Sequence, residues 1–229
     1  LALLCIGSIM VASASMPYAD RLHENAFHYV TRHGVSIFVA GVAAFLAYKV
    51  PLNVWFNNTF ALWLMTILLL AFVLVAGTEV NGSTRWIRIA GFTLQASEVA
   101  KVMMAIFTAD YVVRRAQEVR TSVSGLIRLG IVMIITVGLI LAEPDLGATA
   151  VIVLMILGVF FLAGAPAIQF IAFLAFIIAG LAIAIVFEPY RLQRALSFTN
   201  PWADPLGTGY QLSNALMAFG RGEWFGVGL

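Results

Sequence analysis

Apolar positions in this chain fall in long unbroken runs, at residues 1–14, 35–50, 59–76, 97–113, 126–142, 146–162 and 167–187. Polar and charged residues gather in the stretches between them. A helix needs about 20 mainly apolar residues, with a range of about 17 to 25, to cross a bilayer. Most of the runs reach that length once their interfacial flanks are counted. Barrel strands would alternate apolar and polar positions, and these runs do not. The pattern predicts an all-α, polytopic transmembrane helix bundle with about seven spans. The first run is short and no methionine opens it, so it reads as a helix entered part-way. A cleaved signal peptide competes, because Ala12-Ser13-Ala14 resembles a cleavage site. No basic segment precedes it, which counts against that reading.

Composition strengthens the membrane reading. Of 229 residues, 62% are hydrophobic and 10% charged, whereas a soluble domain carries about 25% charged residues. Mean hydropathy is +0.99. A formal charge of +2, with no long lysine/arginine block, excludes nucleic acid as the expected partner. Cys5 stands alone, so there is neither an internal disulfide nor a cysteine-based metal cluster. Arg114, Arg115, Arg120 and Arg128 form the densest basic loop, which suggests a cytoplasmic side there. Loops near 15–33, 77–96 and 188–229 of a single transmembrane domain covering 1–229 are then expected outside. Yet Arg21, Arg32, Arg85, Arg88, Arg191, Arg194 and Arg221 make the outer side the more basic one. An anionic ligand outside the membrane would account for them.

Candidate chemistry lies between the runs. Asn81-Gly82 marks a turn, and Arg85-Trp86 reads either as an interfacial anchor or as a binding pair. Glu98 and Lys101, three apart, share a helix face. Lys101 must pair with Glu98, reach outward to water, or meet an anion. Asp110 and Arg114 are spaced for a helix-end ion pair. Glu143-Pro144-Asp145 makes a tight hairpin between two spans. Asp145 is spaced to cap the second span, although two acids there could also face a watery cavity, a metal or a substrate. His23, His28 and His33 recur every five residues, which is not one helix face, and read as ordinary interfacial histidines. Gly220-x-Gly222-x-x-x-Gly226 misses the dinucleotide fingerprint in spacing, and no strand precedes it. The last forty residues, 190–229, gather charge and aromatics: Arg191, Arg194, Asp204, Arg221 and Glu223 beside Trp202, Tyr210 and Trp224.

The segments GSTRWI (82–87), QASEVAK (95–101), EPDLGATA (143–150), EPYRLQR (188–194), NPWADPLGTGYQ (200–211) and AFGRGEWFGVGL (218–229) resemble the SEDS family (shape, elongation, division and sporulation), and most closely its cell-division branch. Singly each motif is weak; in this order along the whole chain they are specific. The resemblance implies a bacterial inner-membrane, multi-pass protein of ten spans, working at the division septum. Its implied activity is peptidoglycan glycosyl transfer, the polymerisation of lipid II on the outer face of the membrane. The 4-hydroxyl of one disaccharide attacks the anomeric carbon of another, and undecaprenyl pyrophosphate leaves. Implied partners are a class B penicillin-binding protein, other division membrane proteins and membrane lipids. A divalent cation such as Mg2+ or Mn2+ is implied, and no organic cofactor.

By matching positions, the resemblance implies substrate-binding roles for Arg85, Glu98 and Lys101 in an outer cavity, and for Asp145 in a PDLG motif. It implies the same for Arg191, Arg194, Asp204, Gln211 and Arg221 in the long outer loop. The family's essential aspartate belongs to a later motif resembling H-T-D-F, which residues up to Leu229 do not reach, so this segment alone is expected to be inactive. Glu143 stands where the family usually has glutamine, and Ala96 where it often has proline. A lipid-linked oligosaccharide flippase, or a non-catalytic scaffold of the division machinery, are the alternative functions.

Overall fold

The computed structural model describes residues 2–80, 83–89, 92–187, 192–193, 196–224 and 226. Each apolar run is built into a helix. In chain order these are α1 (Ala2–His23), α2 (His28–Lys49), a short α3 (Leu52–Asn57), α4 (Thr59–Ala76), α5 (Ala96–Arg114), a short α6 (Ala116–Thr121), α7 (Val123–Ala142), α8 (Leu146–Leu162) and α9 (Ala167–Val186). A 3-10 turn at Pro201–Ala203 and α10 (Tyr210–Gly222) follow. Among the described residues, α1, α2, α4 and α7 are long and apolar enough to span a membrane, and α8 and Ala167–Ile183 of α9 are shorter apolar helices. This is the all-α, multi-pass membrane fold that the pattern predicts.

The segments expected as loops are more ordered than expected. The loop near 15–33 narrows to 24–27, because α1 continues through Pro17 to His23. Hydropathy marks where the hydrocarbon ends; a helix can continue past it with polar residues such as Asp20 and Arg21. The segment 77–96 holds a three-stranded antiparallel sheet in the order β1 (Thr78–Val80), β2 (Ser83–Ile89), β3 (Phe92–Gln95). Threonine, tryptophan and isoleucine along β2 favour a pleated surface. Its register sets Trp86 opposite Gln95 and Arg88 opposite Thr93. The expected turn at Asn81-Gly82 lies outside the described residues.

Contacts divide the chain into two compact units, residues 48–178 and residues 1–47 with 179–229. In the 48–178 unit, α5 packs against both α4 and α8, and α7 packs against α8. Buried positions repeat at three- and four-residue spacing: Thr66, Leu70 and Val73 on α4, Ala100, Met104 and Thr108 on α5, Ile152, Ile156 and Phe160 on α8. That spacing is one face of each helix. Trp63 on α4 donates through Nε1 to Thr136 Oγ1 on α7 at 3.0 Å, and Thr136 donates to its own helix at Val132 O. The opposite faces carry Leu154, Phe161 and Leu162, all well exposed. A surface of that kind suits acyl chains rather than water.

Candidate functional site

Arg85 on β2 reaches the turn between α7 and α8. Its Nε donates to the carbonyl oxygen of Glu143 at 3.0 Å, and its Nη2 donates to that of Pro144. Nη1 lies 4.0 Å from Asp145 Oδ1. The planar fork of an arginine suits such a grip, since several of its donors lie in one plane. Here the guanidinium latches a turn onto a sheet, and only an edge of it remains open.

Asp145 is the N-cap of α8. Its Oδ1 accepts the Ala148 N–H at 3.1 Å, and its carbonyl accepts both the N–H and the hydroxyl of Thr149. Its Oδ2 accepts from Gln95 Nε2 at 2.8 Å and from Ser97 Oγ at 3.1 Å. Gln95 ends β3 and Ser97 opens α5, so one carboxylate joins three elements. The cap was legible in the sequence; Gln95 and Ser97 as its partners were not. Both lie in the QASEVAK segment, but no spacing rule links them to a residue some fifty positions away.

Glu143 is fully buried, and neither of its carboxyl oxygens has a hydrogen-bond partner. Burial pushes its pKa up to about 7; nearby Asp145 pushes the same way, and Arg85 opposes them. The side chain therefore keeps its proton to higher pH than an ordinary glutamate does. A glutamine here would carry no charge to bury.

Lys101 and Glu98 form an ion pair of 2.7 Å on α5, with Glu98 mostly exposed. Lys101 is one turn beyond Ser97, whose hydroxyl donates to Asp145. Asp110 and Arg114 pair at 2.6 Å, as their spacing predicts.

Asp204 organises a turn in the other unit. Its Oδ1 accepts the Gly207 N–H at 3.0 Å and its Oδ2 the Thr208 N–H at 2.9 Å. Gly209 is buried against this turn: a β-carbon there would lie 2.2 Å from the Pro201 carbonyl oxygen. Gln211 and Arg221 are exposed in the first and last turns of α10. Thus Arg85 and Asp145 meet, Glu98 and Lys101 pair beside them on α5, and Asp204, Gln211 and Arg221 belong to the unit of 1–47 and 179–229. Arg191 and Arg194 lie outside the described residues.

A divalent cation would need a cluster of acidic or imidazole ligands. Among the described residues, no three His, Cys, Asp or Glu side chains come together. The two acids that do meet, Glu143 and Asp145, share their space with the Arg85 guanidinium, which would repel a metal ion.

Comparison with known proteins places the chain. A model of the cell cycle protein family that groups FtsW, RodA and SpoVE matches residues 1–229. A protein of Acinetobacter baylyi named probable peptidoglycan glycosyltransferase FtsW is 75% identical over 227 residues, covering 99% of this chain and 57% of the relative. One of Allochromatium vinosum with the same name is 46% identical, covering 100% of this chain and 58% of the relative. The chain therefore spans somewhat over half the length of these relatives. Among solved structures, one chain of a peptidoglycan synthase complex that coordinates polymerization and crosslinking superposes with a TM-score of 0.67 at 28% identity, covering 94% of this chain and 65% of that one. The rod shape determining protein RodA of Thermus thermophilus superposes with a TM-score of 0.58 at 23% identity, covering 76% of this chain and 58% of that one, a likeness of fold. The motifs, the helical membrane fold and a family match over the whole length agree: this chain belongs to the FtsW/RodA/SpoVE cell cycle protein family, the SEDS family.

Proposed function

We propose that this chain is the substrate-holding part of a peptidoglycan glycosyltransferase that polymerises lipid II at the outer face of the bacterial inner membrane during septal wall synthesis. The observation that carries the reading is 75% identity, over 99% of the chain, to a relative named for that activity. Similarity to a chain of a peptidoglycan synthase complex supports a further part of it, assembly with a class B penicillin-binding protein.

The geometry suggests different tasks for the two cations near Asp145. Arg85 spends its donors on the α7–α8 turn, so it is a positioning residue that keeps the sheet, α5 and α8 in register. Lys101 is held by one exposed carboxylate three residues away. Exposed pairs of that kind are worth about 0.2–1 kcal/mol, so a pyrophosphate can take the ammonium from Glu98 at little cost. Charge that develops on a leaving pyrophosphate is what such a cation stabilises. Arg221 and Gln211, exposed on α10, are further candidates for contact with the anionic substrate.

The test uses purified full-length protein with its penicillin-binding partner and labelled lipid II. Moenomycin-resistant glycan polymer supports the reading. Labelled lipid that crosses liposomes without any polymer would overturn it in favour of a flippase, and neither product would leave a scaffold.

A further inference from the structure

At the end of the helix pair opposite the Arg85 turn, α4 begins and α5 ends around a cleft of about 270 Å³. Asn57, Thr59, Phe60, Phe107, Asp110, Tyr111, Arg114 and Arg115 line it. The 18 residues of α4 span about 27 Å at 1.5 Å per residue, close to the hydrocarbon thickness of about 30 Å. The cleft therefore lies at headgroup depth in the leaflet away from the site above, on the side of the dense basic loop.

Its chemistry is divided between a charged floor and an aromatic wall. Asp110 accepts from the Thr59 hydroxyl at 2.8 Å and from Arg114 Nε at 2.6 Å, so its charge is already answered. Arg114 also donates to the Phe56 carbonyl, yet more than half of its side chain is exposed. Arg115 lies over the Tyr111 ring at 5.9 Å and bonds Glu118, which Arg128 shares. The Tyr111 hydroxyl donates to Gly125 O at 2.7 Å, which fixes the ring. Two arginines against one aspartate give the lining a net charge of +1. Phe60 and Phe107 continue the wall through Trp63, at ring separations of 5.7 and 6.0 Å. Phe60 is itself largely exposed on the apolar outer surface.

We infer that this cleft binds the headgroup of an anionic phospholipid. Arginine forks match phosphate oxygens in pairs, and basic pockets between membrane helices on the cytoplasmic side are suited to anionic headgroups. At about 270 Å³ the cleft is slightly smaller than the pockets of about 300 to 1,000 Å³ that take whole drug-sized ligands, a size that suits a headgroup alone while the acyl chains lie outside along Phe60. That continuity of a cationic floor with a lipid-facing wall favours a lipid over a free phosphate ion.

Native mass spectrometry tests the inference on the full-length protein released from nanodiscs of phosphatidylcholine doped with phosphatidylglycerol. The expected result is preferential retention of phosphatidylglycerol that persists in excess inorganic phosphate. Arg114→Gln and Arg115→Gln should each lower that retention about fivefold, the equivalent of about 1 kcal/mol per basic residue. Arg88→Gln, which removes an exposed charge on β2, should leave it unchanged. Equal retention of both lipids, an equal loss in Arg88→Gln, or displacement by inorganic phosphate alone would each overturn the inference. Should Arg114→Gln fail to fold for want of its bonds to Asp110 and Phe56, Arg115→Gln and the wild-type comparison of the two lipids decide the matter.

Discussion

Glu143 is a buried carboxyl whose protonation should be readable in the stability of the fold. A carboxyl with a usual value of 4.5 is raised to about 7 in the folded chain, so folding favours the protonated form. The stability this lends is complete below pH 4.5 and is lost as pH rises through about 7. A shift of that size corresponds to an upper bound of between about 3 and 4 kcal/mol. Glu143→Gln should flatten this part of the profile: the melting temperature of the variant, followed from pH 4.5 to 8, should gain on wild type as pH rises. A constant difference across that range would show that the buried carboxyl is not the titrating group. Asp145→Asn is expected to destabilise the junction of β3, α5 and α8. Its amide nitrogen would meet Gln95 Nε2, donor against donor, where Oδ2 now accepts. Leaving such a buried group unpaired costs about 1–3 kcal/mol, readable as a drop in the same melting experiment.

Elements differ in how plainly the sequence announces them. Every long apolar run is a helix, and the Asp110–Arg114 pair and the Asp145 cap follow from spacing of four residues and of one turn. Which face of a helix is buried could not be read in the same way. Lipid is as apolar as a protein interior, so α8 carries Ile152 and Ile156 inward and Leu154 and Phe161 outward with no contrast between them. The sheet at 78–95 was hidden by its polar composition, and the Arg85 latch by a separation of 58 residues. Close approach of backbone to backbone is equally invisible. At Gly209 a β-carbon would lie 2.2 Å from the Pro201 oxygen and 2.9 Å from the Asp204 oxygen. Backbone atoms cannot swing aside as a flexible side chain can, and overpacking of this kind costs about 1–3 kcal/mol. Gly209→Ala should open the Asp204 turn, with faster amide exchange at Gly207 and Thr208; unchanged exchange there would mean the turn tolerates the methyl group.

For the whole molecule, the proposed function raises the question of how a fold with so few charges would hold an anionic, lipid-linked substrate. Several of its described cations already have work within the fold. Arg85 holds a turn, Arg114 and Arg115 sit at the opposite end of the bundle, and Arg120 donates to the Ala163 carbonyl. Near the Asp145 junction, Lys101 is the cation whose partner is both close in sequence and exposed. The proposed function therefore separates two substitutions that a structural pair would not. If the pair merely steadies α5, Glu98→Gln and Lys101→Met should each cost under about 1 kcal/mol and leave polymerisation nearly equal. If Lys101 answers the leaving pyrophosphate, Lys101→Met should lower the rate constant for polymer formation about a hundredfold, within the range seen when one transition-state donor is removed. Glu98→Gln, which frees the ammonium, should keep the rate or raise it. Lipid II polymerisation by the full-length complex, with stability followed in parallel, distinguishes the two, and equal small losses in both variants would return Lys101 to a structural role.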